Sequence, residues 1–234
     1  MAFDIKKFVD SADKVWNSSI NDKKNARAWA WYDCQNAFNN NHKLTDAEKK
    51  SRAKELFIYL ANWGMVARGS FLMQYNWRIL NNVVTIISKC NRNDLLISKP
   101  AEIDVNLKKI DDLYIAINDA LKPYRDAIKE TNRNISSRLI TKILLGTTGC
   151  TVAYDTYVID AFKTIPTLAN APQEINRCSG YSQESLRSLY NFYFNDNYKA
   201  HFDRKLKEIN SDKSLPEWTI MKLMDACLCS YLRQ

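Results

Sequence analysis

Apolar residues recur every three or four positions along most of this chain, which is the spacing of an amphipathic α-helix. The pattern predicts helices over about 3–20, 23–39, 75–90 and 103–121. It also predicts a largely buried last helix with Pro216 in its first turn, because proline is well tolerated there. Helices therefore account for most of the predicted structure.

Two polar signals predict further helix starts. Thr45-Asp46-Ala47-Glu48 has the form of a capping box, in which the Thr and Glu side chains each bond the other residue's backbone amide. Ser182 is a typical N-cap for the apolar segment that follows it, and a polar helix continues to about Asn210. With only five glycines and five prolines, a sandwich or barrel is disfavoured. We expect one all-α domain over residues 1–234, compact and two-lobed.

The net charge and the cysteine pattern limit the classes of function that the protein can have. A formal charge of +8 and a pI near 9.1 favour polyanionic partners, nucleic acid first and an acidic membrane surface second. The six cysteines form no CxxC pair and only His42 and His201 are present, so we expect no metal and no cofactor. The sequence has no secretory signal and no apolar run of about 18 residues, so we expect a cytoplasmic protein.

The most distinctive stretch lies within 135–162. An apolar helix is predicted to end near Leu145, the turn Gly146-Thr147-Thr148-Gly149 follows, and a second apolar helix is predicted to continue from Cys150. Glycines allow a close backbone approach, and the free amides at a helix start suit a phosphate. The plan is that of a helix-hairpin-helix motif. We expect residues 146–150 to contact a DNA backbone together with Lys142 and Arg138, which end a basic segment over 122–142. The alternative is a glycine-terminated helix followed by an ordinary turn.

A second polar stretch follows the capping-box helix. Gly64 and Gly69 flank an arginine, and two further polar residues lie about one helical turn apart beyond them. One interpretation is a pocket wall that offers polar groups to a substrate, and the other is a helix kink or a close helix crossing. The residues assigned to the pocket are Trp63, Arg68, Ser70 and Gln74.

The hairpin and the aromatic-rich helical shell give the chain a family resemblance. It resembles the helix-hairpin-helix DNA glycosylase superfamily, and within it the 8-oxoguanine glycosylase branch. There the second hairpin helix begins Gly-x-Lys-Val-Ala, and Gly149-Cys150-Thr151-Val152-Ala153 matches at the glycine and at Val-Ala. The resemblance implies that the hairpin holds DNA and that a base is flipped into a pocket, to which we assign Tyr154. It also implies that an aspartate helps to break the N-glycosidic bond.

The sequence departs from that family at both catalytic positions. Thr151 stands where bifunctional members carry a Schiff-base lysine, so we expect a monofunctional enzyme that uses water and does not cleave the strand. The region that should hold the aspartate, 168–172, contains none. The nearest acids are Asp155 and Asp160, and we favour Asp155 because it is closer to the predicted phosphate contact. The alternative for Asp155 is a helix cap or an ion pair with Arg138 or Lys142.

The resemblance also suggests substrates. They are an oxidised purine, or a bulky modified cytosine such as glucosylated hydroxymethylcytosine excised from phage DNA in defence. The main alternative function is a non-catalytic helix-hairpin-helix protein that only binds DNA, and a third is a helical structural protein. We expect DNA as the partner, no membrane association and a monomer.

Overall fold

The computed structural model of the protein describes residues 2–21, 26–39, 44–67, 69–128 and 135–233. Across these ranges the fold is helical without β-strands, and one isolated parallel bridge joins Ala2 to Ala169. The prediction of an all-α protein is confirmed. The α-helices are α1 (Ile5–Asp10), α2 (Asp13–Asn21), α3 (Ala26–Phe38), α4 (Asp46–Asn62), α5 (Asn81–Ile87), α6 (Ile103–Asp126), α7 (Ser137–Thr147), α8 (Thr156–Thr164), α9 (Gln183–Phe194), α10 (Asp196–Ile209) and α11 (Ile220–Tyr231).

One cluster of buried apolar side chains extends from Phe3 to Tyr231. It therefore includes both ends of the described chain. Within the described ranges, no helix combines the length and the apolar character that crossing a membrane requires. The two-lobed shape stays a prediction.

The two polar helix-start signals are confirmed. Thr45 and Glu48 form the capping box of α4, and the Ser182 side chain accepts a hydrogen bond from the Ser185 amide at the start of α9. The last helix begins later than predicted. Thr219 caps α11 by accepting from the Lys222 amide, so Pro216 lies before the helix and not in its first turn.

Two of the predicted long helices are interrupted. The predicted helix 3–20 divides into α1 and α2 around Ser11, whose hydroxyl donates to the carbonyls of Phe8 and Cys227 and so ties the break to α11. The predicted helix 75–90 is replaced by short 3-10 turns followed by α5, because Asn76 caps one of these turns by accepting from the Arg78 amide. In contrast, α6 extends past Pro123, which lies in its last turn.

The predicted second hairpin helix does not begin at the glycine turn. Helix α7 continues through Gly146 to Thr147, residues 148–155 form a connection, and α8 begins only after Asp155. Asp155 is the stronger start signal, because its carboxylate accepts from two amides of the first turn of α8. The apolar residues that suggested an earlier start, including Val152, are buried in the connection.

The central turn, residues 145–150, lies in the interior. Side chains donate hydrogen bonds to all but one of the backbone carbonyls of this turn. These bonds replace the helical hydrogen bonds that the last carbonyls of a helix lack. The donors are Trp31, Gln35, Arg92, Tyr190 and Thr219. A Cβ at Gly146 would lie 2.3 Å from the Tyr59 ring.

This burial corrects the predicted phosphate contact. Gly146, Thr147, Thr148, Gly149 and Cys150 are all buried, so the expected exposed backbone grip is absent from this turn. The turn instead joins α7 to the helices that surround it. The basic segment 122–142 includes residues 129–134, which lie outside the described residues.

Candidate active site

A cavity of about 310 Å³ lies between α3, α11 and the start of α8. Three tryptophans, Trp31, Trp63 and Trp218, form part of its wall. Asp155, Lys222 and Asp225 supply buried ionisable groups beside these rings. The volume is near the lower end of the range for small-molecule pockets, about 300–1,000 Å³. A ligand of the size of a single nucleobase or nucleoside would suit it.

The tryptophans are held by their indole N–H groups. A buried indole N–H needs an acceptor, and each of the three has one. The bonds are Trp31 to the Leu145 carbonyl at 3.2 Å, Trp63 to the Arg27 carbonyl at 3.2 Å and Trp218 to the Tyr32 hydroxyl at 3.2 Å.

Asp155 combines two structural roles with a place in the cavity wall. Its Oδ2 lies 3.0 Å from Lys142 Nζ, and the two side chains are only 11% and 3% exposed. Its Oδ1 accepts from the amides of Tyr157 and Val158. The capping and ion-pairing roles that the sequence left as alternatives are therefore both present, the latter with Lys142.

Lys142 is interior. Its Nζ lies 4.7 Å from the centroid of the Trp63 ring as well as beside Asp155. The expectation that Lys142 contacts a DNA backbone is corrected, because an ammonium buried in an ion pair is not presented to a phosphate.

Lys222 is the most unusual group in the cavity. Its Nζ lies 4.8, 5.2 and 5.8 Å from the ring centroids of Trp31, Trp218 and Trp63. The residue is 3% exposed, and no described residue hydrogen-bonds to its Nζ or pairs with it. Burial lowers the pKa of Lys222, and the charge of Asp225 opposes this shift.

Asp225 lies one turn further along α11. Its Oδ1 accepts from the Ala153 amide at 2.8 Å and it is 4% exposed. Burial raises the pKa of Asp225, while Lys222 opposes the shift and the nearby Asp155 adds to it. The site thus holds one carboxylate in an ion pair and another that resists ionisation.

The mouth of the cavity is basic. Lys14, Arg27 and Arg233 line it and are exposed, and Arg138 lines a neighbouring cavity of about 350 Å³ that shares Trp63 and Asp155. Among the described residues that line these two cavities, the only carboxylates are the buried Asp155 and Asp225. The exposed charges at the mouth are therefore all positive, which favours an anionic group there.

The other predicted site residues are more dispersed. Trp63 lines the cavity, but Ser70 caps a 3-10 turn and Gln74 is exposed, and neither lines either cavity. Tyr154 is buried outside the cavity wall and its hydroxyl donates to Ser185. Arg68 lies outside the described residues.

Asp160 is exposed on α8 and does not line either cavity. Of the two predicted acids, only Asp155 lies in the candidate site.

Sequence reasoning did not assign Trp31, Trp218, Lys222 or Asp225 to a site. A signal was present for the last two, because two charged residues interrupt the apolar run Met221, Leu223, Met224 and Ala226. Buried charges in such a run need a partner or a function. No signal in the sequence could bring α3 to α11.

Scans against protein-family models, curated proteins and solved structures found no match. Within the described ranges, no three His, Cys, Asp or Glu side chains lie close enough together to hold a metal ion. The candidate function therefore depends on the chemistry of the cavity.

Proposed function

We propose that this protein is a DNA glycosylase that hydrolyses the N-glycosidic bond of a modified base flipped into the tryptophan-lined cavity. One observation carries the proposal: aromatic rings, two buried aspartates and a buried lysine amine that no described residue bonds or pairs with through an ion pair meet in a single cavity with a basic mouth. Each of these features serves a step that base excision requires.

The cavity wall suits a planar base. Stacking of a base on an aromatic side chain contributes about 1–3 kcal/mol, and this offsets part of the cost of removing the base from the duplex. We expect Trp63, the half-buried ring of the three, to make this contact, because Trp31 and Trp218 are only 2% and 3% exposed. Lys222 offers donors to a carbonyl or ring nitrogen of the base.

The carboxylates suit bond cleavage. Positive charge develops on the sugar as the base leaves, and an anion fixed nearby stabilises it. Asp155 is held in place by Lys142 and by two backbone amides, so it is already oriented. Asp225, whose pKa burial raises, is placed to hold a proton for the departing base or to orient the attacking water.

The basic mouth suits the DNA backbone. Lys14, Arg27, Arg138 and Arg233 would contact phosphates on either side of the flipped nucleotide, replacing the contact that was expected at the buried central turn. Such contacts position DNA without reading its sequence. The identity of the base, an oxidised purine or a glucosylated cytosine, and the setting of repair or phage defence remain predictions from the resemblance.

The test is base release from duplexes that carry unmodified, oxidised or glucosylated bases, with alkali to cleave abasic sites. We expect release from one class of modified base. Asp225→Asn keeps the acceptor for the Ala153 amide and should fold, yet we expect it to lose turnover and retain DNA binding. Asp160→Asn is the matched control, because Asp160 is exposed on the same helix that Asp155 caps.

The outcomes separate the functions. DNA binding without release from any duplex would support the non-catalytic alternative. Absence of salt-dependent DNA binding would contradict both, because contacts to phosphates weaken as salt concentration rises. Loss of base release in Asp160→Asn would indicate that the catalytic acid is Asp160, on the exposed face of α8.

A further inference from the structure

A further cavity, of about 420 Å³, has a lining that includes three cationic side chains. We call it the arginine recess, and its cations are Arg52, Lys89 and Arg92. Among the described residues of its wall, none is an aspartate or a glutamate. The volume lies within the range of small-molecule pockets, about 300–1,000 Å³. The recess therefore has the size of a ligand site, and its charged side chains are all positive.

Arg92 is held in the wall of the recess by neutral acceptors. Its Nε donates to the Thr148 carbonyl at 3.0 Å, its Nη2 to the Gln35 side-chain oxygen at 2.9 Å and its Nη1 to the side-chain oxygen of Asn39. Among the described residues none forms an ion pair with it, and the guanidinium retains N–H groups that these bonds do not use. Burial lowers the pKa of Arg92, and the charge of Glu217 opposes this shift. A cation fixed in this way is stabilised by an anion placed beside it.

Arg52 and Lys89 complete the set of cations. Arg52 is only 6% exposed, its Nη1 donates to the Ser88 hydroxyl at 3.2 Å, and its guanidinium carbon lies 5.8 Å from the centroid of the Phe38 ring. Lys89 is exposed. The recess thus has a deep guanidinium inside and an ammonium group near the solvent.

Three helices end at the recess, and their partial charges must be weighed against the cations. The last residues of α3, α5 and α7, which are Phe38, Ile87 and Thr147, all line it. A helix C-terminus carries about −0.5 of an elementary charge, so three such ends contribute about −1.5. The three cationic side chains contribute about +3, which leaves a surplus of about +1.5. The helix ends account for only part of the positive charge.

We propose that the arginine recess binds the phosphate group of a small free anion, inorganic phosphate or a nucleoside monophosphate. Guanidinium groups present planar forks of donors that match phosphate oxygens, and Lys89 adds a point charge. A phosphate group carries about −1.5 to −2 charges at pH 7, which is close to the surplus of positive charge. The inference goes beyond the proposed function and does not depend on it.

The position of the recess favours a free anion over a DNA backbone. Ala28 lines the tryptophan-lined cavity and Phe38 lines the recess, so the two sites lie about 15 Å apart along α3. The cations that we assign to DNA surround the tryptophan-lined cavity. Because Arg52 is buried, only a group small enough to enter the recess can contact it.

The experiment is calorimetric titration of the full chain with inorganic phosphate, in chloride buffer at constant ionic strength. Inorganic phosphate is the first probe because it has no base that could enter the tryptophan-lined cavity. We expect one phosphate site per chain, and a nucleoside 5′-monophosphate should compete with phosphate for it.

Three variants locate the site. Arg92→Gln should weaken phosphate binding at least about tenfold, because hydrogen bonds to charged groups are strong. Lys89→Gln should weaken it about two- to fivefold, as for an exposed charge pair, and should fold because Lys89 is exposed. Arg177→Gln is the matched control and should leave the affinity unchanged, because it removes the same charge from an exposed residue that does not line the recess.

Phosphate binding that is unchanged in Arg92→Gln would overturn the proposal, as would no binding by the wild-type protein at up to about 10 mM phosphate. If Arg92→Gln does not fold, unchanged binding in Lys89→Gln would overturn it instead. Absence of phosphate binding together with weaker binding of duplex DNA by Arg92→Gln would assign the recess to the DNA backbone and refute the free anion. These titrations use no modified base, so their failure is distinct from the failure of base release.

Discussion

Replacing Asp155 by asparagine separates its structural role from its proposed chemistry. Asparagine is a good N-cap and keeps an oxygen for the amides of Tyr157 and Val158, so the start of α8 should survive. The charge that pairs with Lys142 is lost. Because Lys142 is 3% exposed, its ammonium would stay buried without an anion.

The expected cost follows from that burial. Breaking a buried ion pair by removing one partner costs about 3–5 kcal/mol. For a chain of this size, 1 kcal/mol corresponds to about 2–4 °C in melting temperature, so Asp155→Asn should melt about 6–20 °C below the wild-type protein. The double variant Asp155→Asn with Lys142→Met removes both charges and should recover most of this loss.

The assay is urea unfolding followed by circular dichroism for the wild-type protein, both single variants and the double variant. A cycle of these four gives the coupling energy between Asp155 and Lys142. A loss below about 1 kcal/mol in Asp155→Asn would refute the buried pair, because exposed pairs contribute only that much. A double variant as unstable as Asp155→Asn would show that the loss comes from the helix cap instead.

Three further predictions follow from burial and charge. Gly146→Ala should lower the melting temperature, because the new Cβ would lie 2.3 Å from the Tyr59 ring and overpacking costs about 1–3 kcal/mol. This should hold even though alanine favours helices. Gly180→Ala, which has open space around it, should change the melting temperature little in the same thermal scan. Asp225→Asn should unfold at higher urea than the wild-type protein at pH 7. Because the pKa of Asp225 is raised in the folded protein, its carboxyl lowers the free energy of unfolding only as the pH rises above the ordinary value of 3.8. The difference in unfolding midpoint between Asp225→Asn and the wild-type protein should therefore vanish below pH 3.8. A difference that stays the same at every pH would contradict this prediction. Arg138→Ala should reduce the slope of log binding constant against log salt concentration by about 0.9, as expected for one lost phosphate contact, and an unchanged slope in fluorescence titrations would remove Arg138 from the interface.

The sequence determined the helical character of this protein and several of its helix starts. Local signals are sufficient for these features, because apolar spacing and capping bonds act over three or four residues. Thr45 and Ser182 were correct starts for this reason. Asp155 was recognised as a candidate cap and ion-pair partner, and both roles are present.

Only the tertiary structure decided what the glycine turn does. The same letters, Gly-Thr-Thr-Gly, are compatible with an exposed phosphate contact or with a buried connection. The choice depends on residues distant in sequence, since Gln35 and Thr219 donate to the carbonyls of this turn. Tyr59 packs where a Cβ at Gly146 would lie. Local sequence carries no information about these neighbours, so it could not show that the turn is buried.

The candidate site was also decided by packing between distant segments. Trp31 on α3, Trp63 after α4 and Lys222 on α11 meet around one cavity, although almost 200 positions separate the first from the last. The sequence assigned Trp63 to a pocket and shows Lys222 as a charge within an apolar run, but it does not show that either lies beside Trp31. The chemistry of the site depends on burial, which removes water from Lys222 and Asp225. Burial lowers the pKa of Lys222 and raises the pKa of Asp225, so both neutral forms are favoured. That environment exists only once the helices have packed.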